Sequence, residues 1–493
     1  IAGHIGLISQ SGALCSAVLD WAQAHHVGFS SVISLGHSGD LDFGETLDYL
    51  ANDPQTRSIF LHIENIRNAR RFMSALRAAA RCKPVLLIKA GRHLSPARGK
   101  TTEYDTVFDA AMRRAGVVRI ATAGQMYATA QALHSRFQPR GNRLSILTNG
   151  LGLGAMAADY AESIGIPMGQ LTPTTLQKFD KHLPASAPCG NPVNLGTDAR
   201  PSHYINALKL LQEDEQIDGI LAILDPHPAS DTSQTARLMI EQTKHSSKPL
   251  ITCWMGETQV TEARRLFNGA AIPSLRTPES ALELFSHLSQ YFHNQKLLLH
   301  TPAAMAEKPE DSPPTRPEHA RSLIETALSE KQRSLENAEA GAVLAAFGIP
   351  IELSSSWQAR GNELRIAIIQ DKLFGPAITL GPAGELPESC GNPNRLSVAL
   401  PPLNEALIDD LLHALPRTHK KDIDLTVVKP LLLRLSEMIC ELPKLREMEI
   451  DPLQHTPRGW QAKHIRLTLA PLPPHIRPHV PLSIHPYPSP LPT

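Results

Sequence analysis

Two short turns carry the residue types that hold anions. Ser9-Gln10-Ser11-Gly12 follows the apolar run Ile5–Ile8 and precedes the helical pattern Ala13–Ala24. A strand that ends in a small polar turn before a helix leaves backbone N–H groups free at the positive end of the helix dipole, where phosphate or carboxylate binds. Ser9 and Ser11 add hydroxyl donors. Thr148-Asn149-Gly150-Leu151-Gly152-Leu153-Gly154 repeats the arrangement after Arg143–Leu147, with more glycine. Ordinary capping of a helix by Ser or Thr gives the same pattern. Two strand ends add charge: Glu64 closes Ile59–Ile63, and Lys89-Ala90-Gly91-Arg92 closes the next apolar run. The carboxyl edge of a parallel sheet is where ligands sit; a solvated strand end and a surface loop are the plainer readings. Asn191-Pro192-Val193-Asn194-Leu195-Gly196 reads by itself as an extended turn between helices.

Metal and thiol chemistry find less support. The 22 histidines include no HxxxH or HxH cluster with acidic partners, and His25-His26 are not arranged to share a metal. The six cysteines lie far apart with no CxxC pair, as expected of reduced thiols in a cytoplasmic protein. Cys15 falls in a helical apolar pattern and reads as core.

The elements that must position these turns alternate. Strands Ile5–Ile8, Ser31–Leu35, Ser58–Ile63, Pro84–Lys89 and Val117–Ile120 are interleaved with helices Ala13–Ala24, Glu45–Asn52, Ala69–Arg81, Val107–Ala115 and Gly124–Arg136. That order predicts a parallel sheet covered on both faces. After Pro139-Arg140-Gly141-Asn142 the alternation restarts with Arg143–Leu147, Ala155–Ile164, Gly219–Leu224 and Pro249–Trp254. The expected organisation is an α/β domain over 1–138, a second over 141–297, a linker over 298–330 and a mixed region over 331–470. A Pro-rich tail over 471–493 follows, with nine prolines in 23 residues. In the mixed region Asn337–Phe347 reads as a helix, Leu364–Ile369 and Ala377–Leu380 as a hairpin, and Asp424–Lys429 and Leu445–Ile450 as further strands.

With 493 residues, 42% hydrophobic, 19% charged and a formal net charge of zero, the chain has a globular balance spread over about three domains. Zero net charge gives no reason to expect nucleic acid or an anionic membrane as partner. No run approaches the roughly 18 apolar residues of a membrane-spanning helix, and no signal-peptide layout is present. The chain opens on Ile1 rather than Met and reads as a piece of something longer.

Taken in order, the motifs are more specific than any one alone. Ser9–Ala13, Ser34-Leu35-Gly36, Asp40 to Asp42, Leu47–Leu50, Asp53–Thr56, Glu64 and Lys89–Arg92 resemble the succinyl-CoA synthetase-like domain of the NDP-forming acyl-CoA synthetases. Thr148-Asn149-Gly150, Asn191–Asn194 and Trp254 fit the second domain. Gly361–Arg365, Phe374-Gly375-Pro376 and Glu447–Leu453 resemble the later half of an ATP-grasp domain. The resemblance implies two flavodoxin-like parallel-sheet domains followed by an incomplete α+β ATP-grasp-like region. It implies acetyl-CoA or CoA as ligand, bound around Ser9, Ser11, Gly12, Glu64, Lys89, Gly91, Asn149, Gly150 and Asn191. Within the family the chain is most similar to the branch of bacterial protein lysine acetyltransferases. The residues are Arg70-Arg71-Phe72, Val107–Ala111 with Arg114-Ala115-Gly116, Glu262–Phe267 and His485–Pro488. In that branch a GNAT acetyltransferase domain is fused to the synthetase-like region.

Departures from the family pattern decide between activities. Members that make acyl-CoA pass a phosphoryl group through a histidine in a loop matching Gly99–Asp105, where this chain has none. His93 lies before that loop. The region passes from Ile349-Pro350-Ile351 to Gln358–Gly361 without the lysine-bearing segment that holds ATP phosphates. The metal-binding pair becomes Glu449 and Asp451, a degenerate magnesium site, so ATP and Mg are not expected to be fully bound. A CoA-nucleotide-binding domain and the GNAT domain are expected in a longer chain, and a homo-oligomer is compatible with the reading. The expected function is a regulatory region that binds acyl-CoA or a related anion, with no catalytic residue of its own. An ADP-forming acetate–CoA ligase and a non-catalytic fragment are the alternatives.

Overall fold

Ser58-Ile59-Phe60-Leu61-His62-Ile63 is buried along its whole length, as a strand must be when helices cover both faces of its sheet. The computed structural model describes residues 2–471 apart from 25–26, 37–38, 90–100, 134–138, 140, 183–189, 228–230, 245, 247, 301–315, 355–356, 358–362, 384–395, 414 and 416–423. Gly91, His93, the first residues of the 99–105 loop, residues 301–315 of the expected linker and nearly all of the Pro-rich tail lie outside the described residues.

The first sheet holds β1 (Ala2–Ser9), β2 (Phe29–Ser34), β3 (Ser58–Ile63), β4 (Val85–Lys89) and β5 (Val118–Arg119), all parallel, in the order β2-β1-β3-β4-β5. Helices α1 (Gly12–Ala24), α2 (Phe43–Asn52), α3 (Ala69–Cys82), α4 (Thr101–Arg114) and α5 (Ala123–Leu133) connect and cover it. One face packs Leu7, Phe60 and Leu86 with Cys15 of α1 and Met126 of α5. The other packs Ile8, Leu61 and Leu87 with Leu47, Phe72 and Phe108 of α2, α3 and α4. Local signals start the helices: Asp42 accepts from the Gly44 N–H at 2.6 Å while Glu45 accepts from the Asp42 N–H, a capping box. Asn68 caps α3.

The second sheet repeats this order from the opposite edge. It holds β6 (Leu144–Thr148), β7 (Val193–Asn194), β8 (Gly219–Leu224), β9 (Leu250–Trp254) and β10 (Ser274–Leu275), arranged β10-β9-β8-β6-β7 and parallel. Its helices are α6 (Leu151–Ser163), α7 (Pro173–His182), α8 (Pro201–Glu213), α9 (Thr232–Thr243), α10 (Thr261–Gly269) and the 22-residue α11 (Pro278–Leu299). The expected turn at Asn191–Asn194 contains β7, a two-residue edge strand. Helix α11 ties the two sheets together: Asn294 donates to the Val117 carbonyl, and Gln295 to those of Ala80 and Gly116.

The third region is antiparallel apart from one strand pair, as the expected α+β class requires. Helices α12 (Pro317–Ser329), α13 (Ala338–Ala346), α14 (Glu405–His413) and α15 (Leu425–Glu441) pack on an eight-stranded sheet. Its strands are β11 (Ser334–Glu336), β12 (Ile351–Leu353), β13 (Leu364–Asp371), β14 (Gly375–Pro382), β15 (Ser397–Ala399), β16 (Leu445–Thr456), β17 (Gly459–Ala462) and β18 (Ile465–Leu469). The expected hairpin is β13–β14. The expected strand at Asp424–Lys429 is instead the start of α15. The β-branched run Thr426-Val427-Val428 suggested extension, but Asp424 caps the Thr426 N–H. Val428, Leu431, Leu432, Leu435 and Met438 then fall on one buried helical face.

Helix α4 joins the third region to the first sheet. Phe108 meets Phe374 edge-on at 6.0 Å. Arg113 and Arg114 donate to the carbonyls of Val398 and Leu400. Asp410 of α14 receives Arg113 at 3.3 Å and His293 of α11 at 2.7 Å. No helix among the described residues is long and apolar enough to cross a membrane.

Candidate functional site at the switch point of the first sheet

In a sheet of order 2-1-3-4-5 the chain leaves β1 and β3 in opposite directions, and ligands bind in the crevice beyond their carboxyl ends. Ser9 ends β1 and is fully buried; its register partner on β3 is His62, 7% exposed. Ser9 Oγ accepts from the Ser11 N–H at 3.0 Å, donates to the Ser11 carbonyl at 3.0 Å, and lies 3.1 Å from His62 Nδ1. Ser11 Oγ caps α1 through the Leu14 N–H. Gly12, exposed, is the first helical residue. Gln10 bridges the crevice: its side-chain oxygen accepts from the N–H groups of Glu64 and Asn65, and its amide donates to the Asn65 carbonyl. Glu64 is exposed beside this bridge. Ser9, Ser11, Gly12 and Glu64 therefore lie at the same edge of the sheet, beyond the ends of β1 and β3. His62, which the sequence reading passed over as part of an apolar strand, sits among them. Burial pushes its imidazole below the ordinary histidine value, and the Glu64 charge opposes that only in part.

Lys89 does not join them. It follows Val85 and Leu87 onto the opposite face of the sheet. There it pairs with Asp105 at 3.2 Å and lies 4.4 Å from the Phe108 ring centroid. Arg119 completes the cluster, meeting Asp105 and Asp109 at 2.7 Å each. Burial alone would raise the Asp105 carboxyl, but Arg119 and Lys89 outweigh it and hold it below its usual range. The cluster fixes the first turns of α4, and residues 101–105 of the stretch expected as a loop at Gly99–Asp105 are already helical there.

The second turn is built for packing. Asn149, 4% exposed, donates to the Asp225 carbonyl and accepts from the Asp225 N–H, both at 2.8 Å, locking the ends of β6 and β8. A Cβ on Gly154 would lie 2.9 Å from the Thr148 methyl, so this glycine lets α6 close on its strand. Gly150 is the N-cap of α6 and supplies no side-chain cap. Asn191 accepts from the Ile146 N–H and donates to the carbonyls of Leu144 and Gly169, pinning β6 to its edge.

Glu449 and Asp451 lie side by side on β16, and a guanidinium already faces both. Arg365 meets Glu449 at 2.6 Å and Asp451 at 3.7 Å, and Arg466 approaches Glu449 at 3.8 Å. A divalent ion at this pair would have to displace Arg365. Among the described residues no group of three or more His, Cys, Asp or Glu side chains forms a metal cage.

Two tandem flavodoxin-order sheets with an antiparallel third region define a class. Residues 2–133 match the succinyl-CoA ligase like flavodoxin domain and residues 354–469 the ATP-grasp domain. Together these matches make the chain similar to the NDP-forming acyl-CoA synthetases. It is 27% identical to acetate–CoA ligase [ADP-forming] I of Archaeoglobus fulgidus over 95% of its own length and 78% of that protein. It is 31% identical to the alpha subunit of acetate–CoA ligase [ADP-forming] I of Pyrococcus furiosus, over 59% of this chain and 64% of that subunit. The dinucleotide forming acetyl-coenzyme A synthetase 1 of Ca. Korarchaeum cryptofilum shares the fold with a TM-score of 0.53 and 26% identity. That match covers 61% of this chain and 67% of the other, and the same protein is known in complex with phosphate and ADP.

Proposed function

We propose that this chain is an acyl-CoA synthetase-type ligand-binding region that holds CoA, acetyl-CoA or a related anion without relaying phosphate through its own 99–105 loop. The observation that carries this reading is the fate of that loop. Residues 94–133 contain no histidine. Asp105 at the loop's end is locked between Lys89 and Arg119. An acyl phosphate must hand its phosphoryl group to a nucleophile that passes it to a nucleotide, and imidazole is the group that does both. The nucleotide end is altered as well, because Arg365 stands where the acidic pair would take magnesium.

The similarity to ADP-forming acetate–CoA ligases favours acetyl-CoA as the ligand, and also a second reading in which the chain is such a ligase with a relocated relay. The finer reading is that the region controls a lysine acetyltransferase domain. It rests on the branch motifs Arg70-Arg71-Phe72, Val107–Ala111 with Arg114-Ala115-Gly116, and Glu262–Phe267. In that case transfer would proceed by attack of a substrate lysine on the acetyl-CoA thioester, at a site this chain does not supply. Incubation with radiolabelled ATP or acetyl phosphate separates the readings. No acid-labile phosphate on the chain is expected, and its stable incorporation would support the ligase.

A further inference from the structure

We propose that β2 is a docking edge for a second copy of this chain: the two β2 strands pair antiparallel about Val32 and join the two first sheets into one. An unpaired strand edge is a row of free N–H and C=O groups, and proteins blunt such edges by shortening them or by placing charge or proline on them. The other edge strands follow that rule by length. β5, β7 and β10 have two residues each, and β11, β12 and β15 have three. β2 has six, Phe29-Ser30-Ser31-Val32-Ile33-Ser34, with no charge and no proline. It ends its sheet and, among the described residues, pairs with β1 alone.

The ladder fixes which groups are free. The Leu35 N–H donates to the Ser9 carbonyl of β1 at 2.8 Å. Backbone groups turn to alternate sides along a strand, so Ile33 and Ser31 also face β1, and their register with Ile8 and Gly6 is unbroken. Ser30, Val32 and Ser34 therefore turn outward. That spacing is self-complementary. With a two-fold axis at Val32, each Val32 faces the other, and Ser30 of either copy faces Ser34 of the other. Every such pair exchanges both backbone bonds of an antiparallel ladder, and association closes at the dimer. The helices beside the seam add apolar surface. α1 packs on the face that carries Val32 and α2 on the face that carries Ile33. Leu19 of α1, Leu41 just before α2 and Tyr49 of α2 are exposed.

This inference is independent of the ligand reading. Light scattering coupled to gel filtration of the whole chain, over a concentration series, should give twice the 53.8 kDa of one copy. Val32→Pro removes an outward N–H at the axis and no bond to β1, so it should yield a monomer with an unchanged circular dichroism spectrum. Hydrogen exchange of the unmutated chain, resolved to single amides, gives a second reading. The Val32 and Ser34 amides should exchange within about tenfold of the Ile33 amide, which is bonded to β1. A monomer at every concentration, a dimer that survives in folded Val32→Pro, or Val32 and Ser34 amides that exchange like free ones would overturn the proposal. If Val32→Pro does not fold, mass and exchange of the unmutated chain decide.

Discussion

Asp105→Ala should loosen the start of α4 more than any other single change on that helix. The carboxylate is 13% exposed and receives Arg119 at 2.7 Å and Lys89 at 3.2 Å, with Arg119 itself only 10% exposed. Removing it leaves two neighbouring cations with Asp109, a half-exposed carboxylate, as their remaining acidic partner in the cluster. Hydrogen bonds to charged groups contribute about 1.5–3 kcal/mol, and breaking a fully buried pair costs about 3–5 kcal/mol. This site is partly open, so the lower part of that range applies, about 2–3 kcal/mol. Hydrogen exchange of the α4 amides reads the cost directly. At about 1.4 kcal/mol per tenfold, exchange through local opening should accelerate by roughly 30- to 150-fold. A double-mutant cycle with Arg119→Ala should return a coupling of about 1.5–3 kcal/mol. A coupling below about 0.5 kcal/mol, or α4 exchange unchanged in Asp105→Ala, would refute the claim that the cluster anchors this helix.

Three further outcomes follow from hydrogen-bonded polar groups. His287, hydrogen-bonded to Thr129 at 3.1 Å, is pushed by burial from 6.5 down to about 4. Folding keeps it neutral while the unfolded chain takes up the proton, so stability should fall as pH drops from 6.5 towards 4, by up to about 3 kcal/mol. Urea midpoints across that range should show a slope that His287→Phe diminishes. Asp410→Asn should weaken the contact between α14 and α4 by about 1.5–3 kcal/mol, through loss of charge-assisted bonds to His293 and Arg113. Faster exchange in both helices, with α8 and α9 unaffected, is the expected signature. Asn191→Ala should destabilise the second sheet by about 2–4 kcal/mol, because the amide satisfies backbone groups of Ile146, Leu144 and Gly169. Loss of acetyl-CoA affinity in that variant without loss of stability would contradict its structural role.

The tandem sheets were legible because their signal is local. Gly219–Leu224 is an unbroken apolar run and Ser58–Ile63 a largely apolar one carrying His62, both with the bounds the sequence suggested, and Ser9–Gly12 is a turn whose chemistry lies in four adjacent residues. Asp424–Lys429 misled because β-branched residues in the first turn of α15 outweighed the apolar spacing that only becomes visible further along. The site was harder to read for a different reason. His62 meets Ser9 across 53 positions of sequence, and the face on which Lys89 falls is decided by strand parity and by Asp105 and Arg119 further along. Asn149 and Asn191 have the residue type of ligand-binding groups, yet neighbouring strands use up their amides. Register pairing of β1 with β3 was the one signal that could have exposed His62, since a polar residue inside a fully apolar central strand needs a partner.

Native mass spectrometry of the whole chain, mixed with acetyl-CoA, phosphate, ATP and magnesium, tests the central claim most directly. The account predicts a saturable non-covalent acetyl-CoA complex and no covalent phosphoryl adduct. An acid-labile phosphoryl group on the chain, or the failure of acetyl-CoA to bind at any concentration, would contradict it.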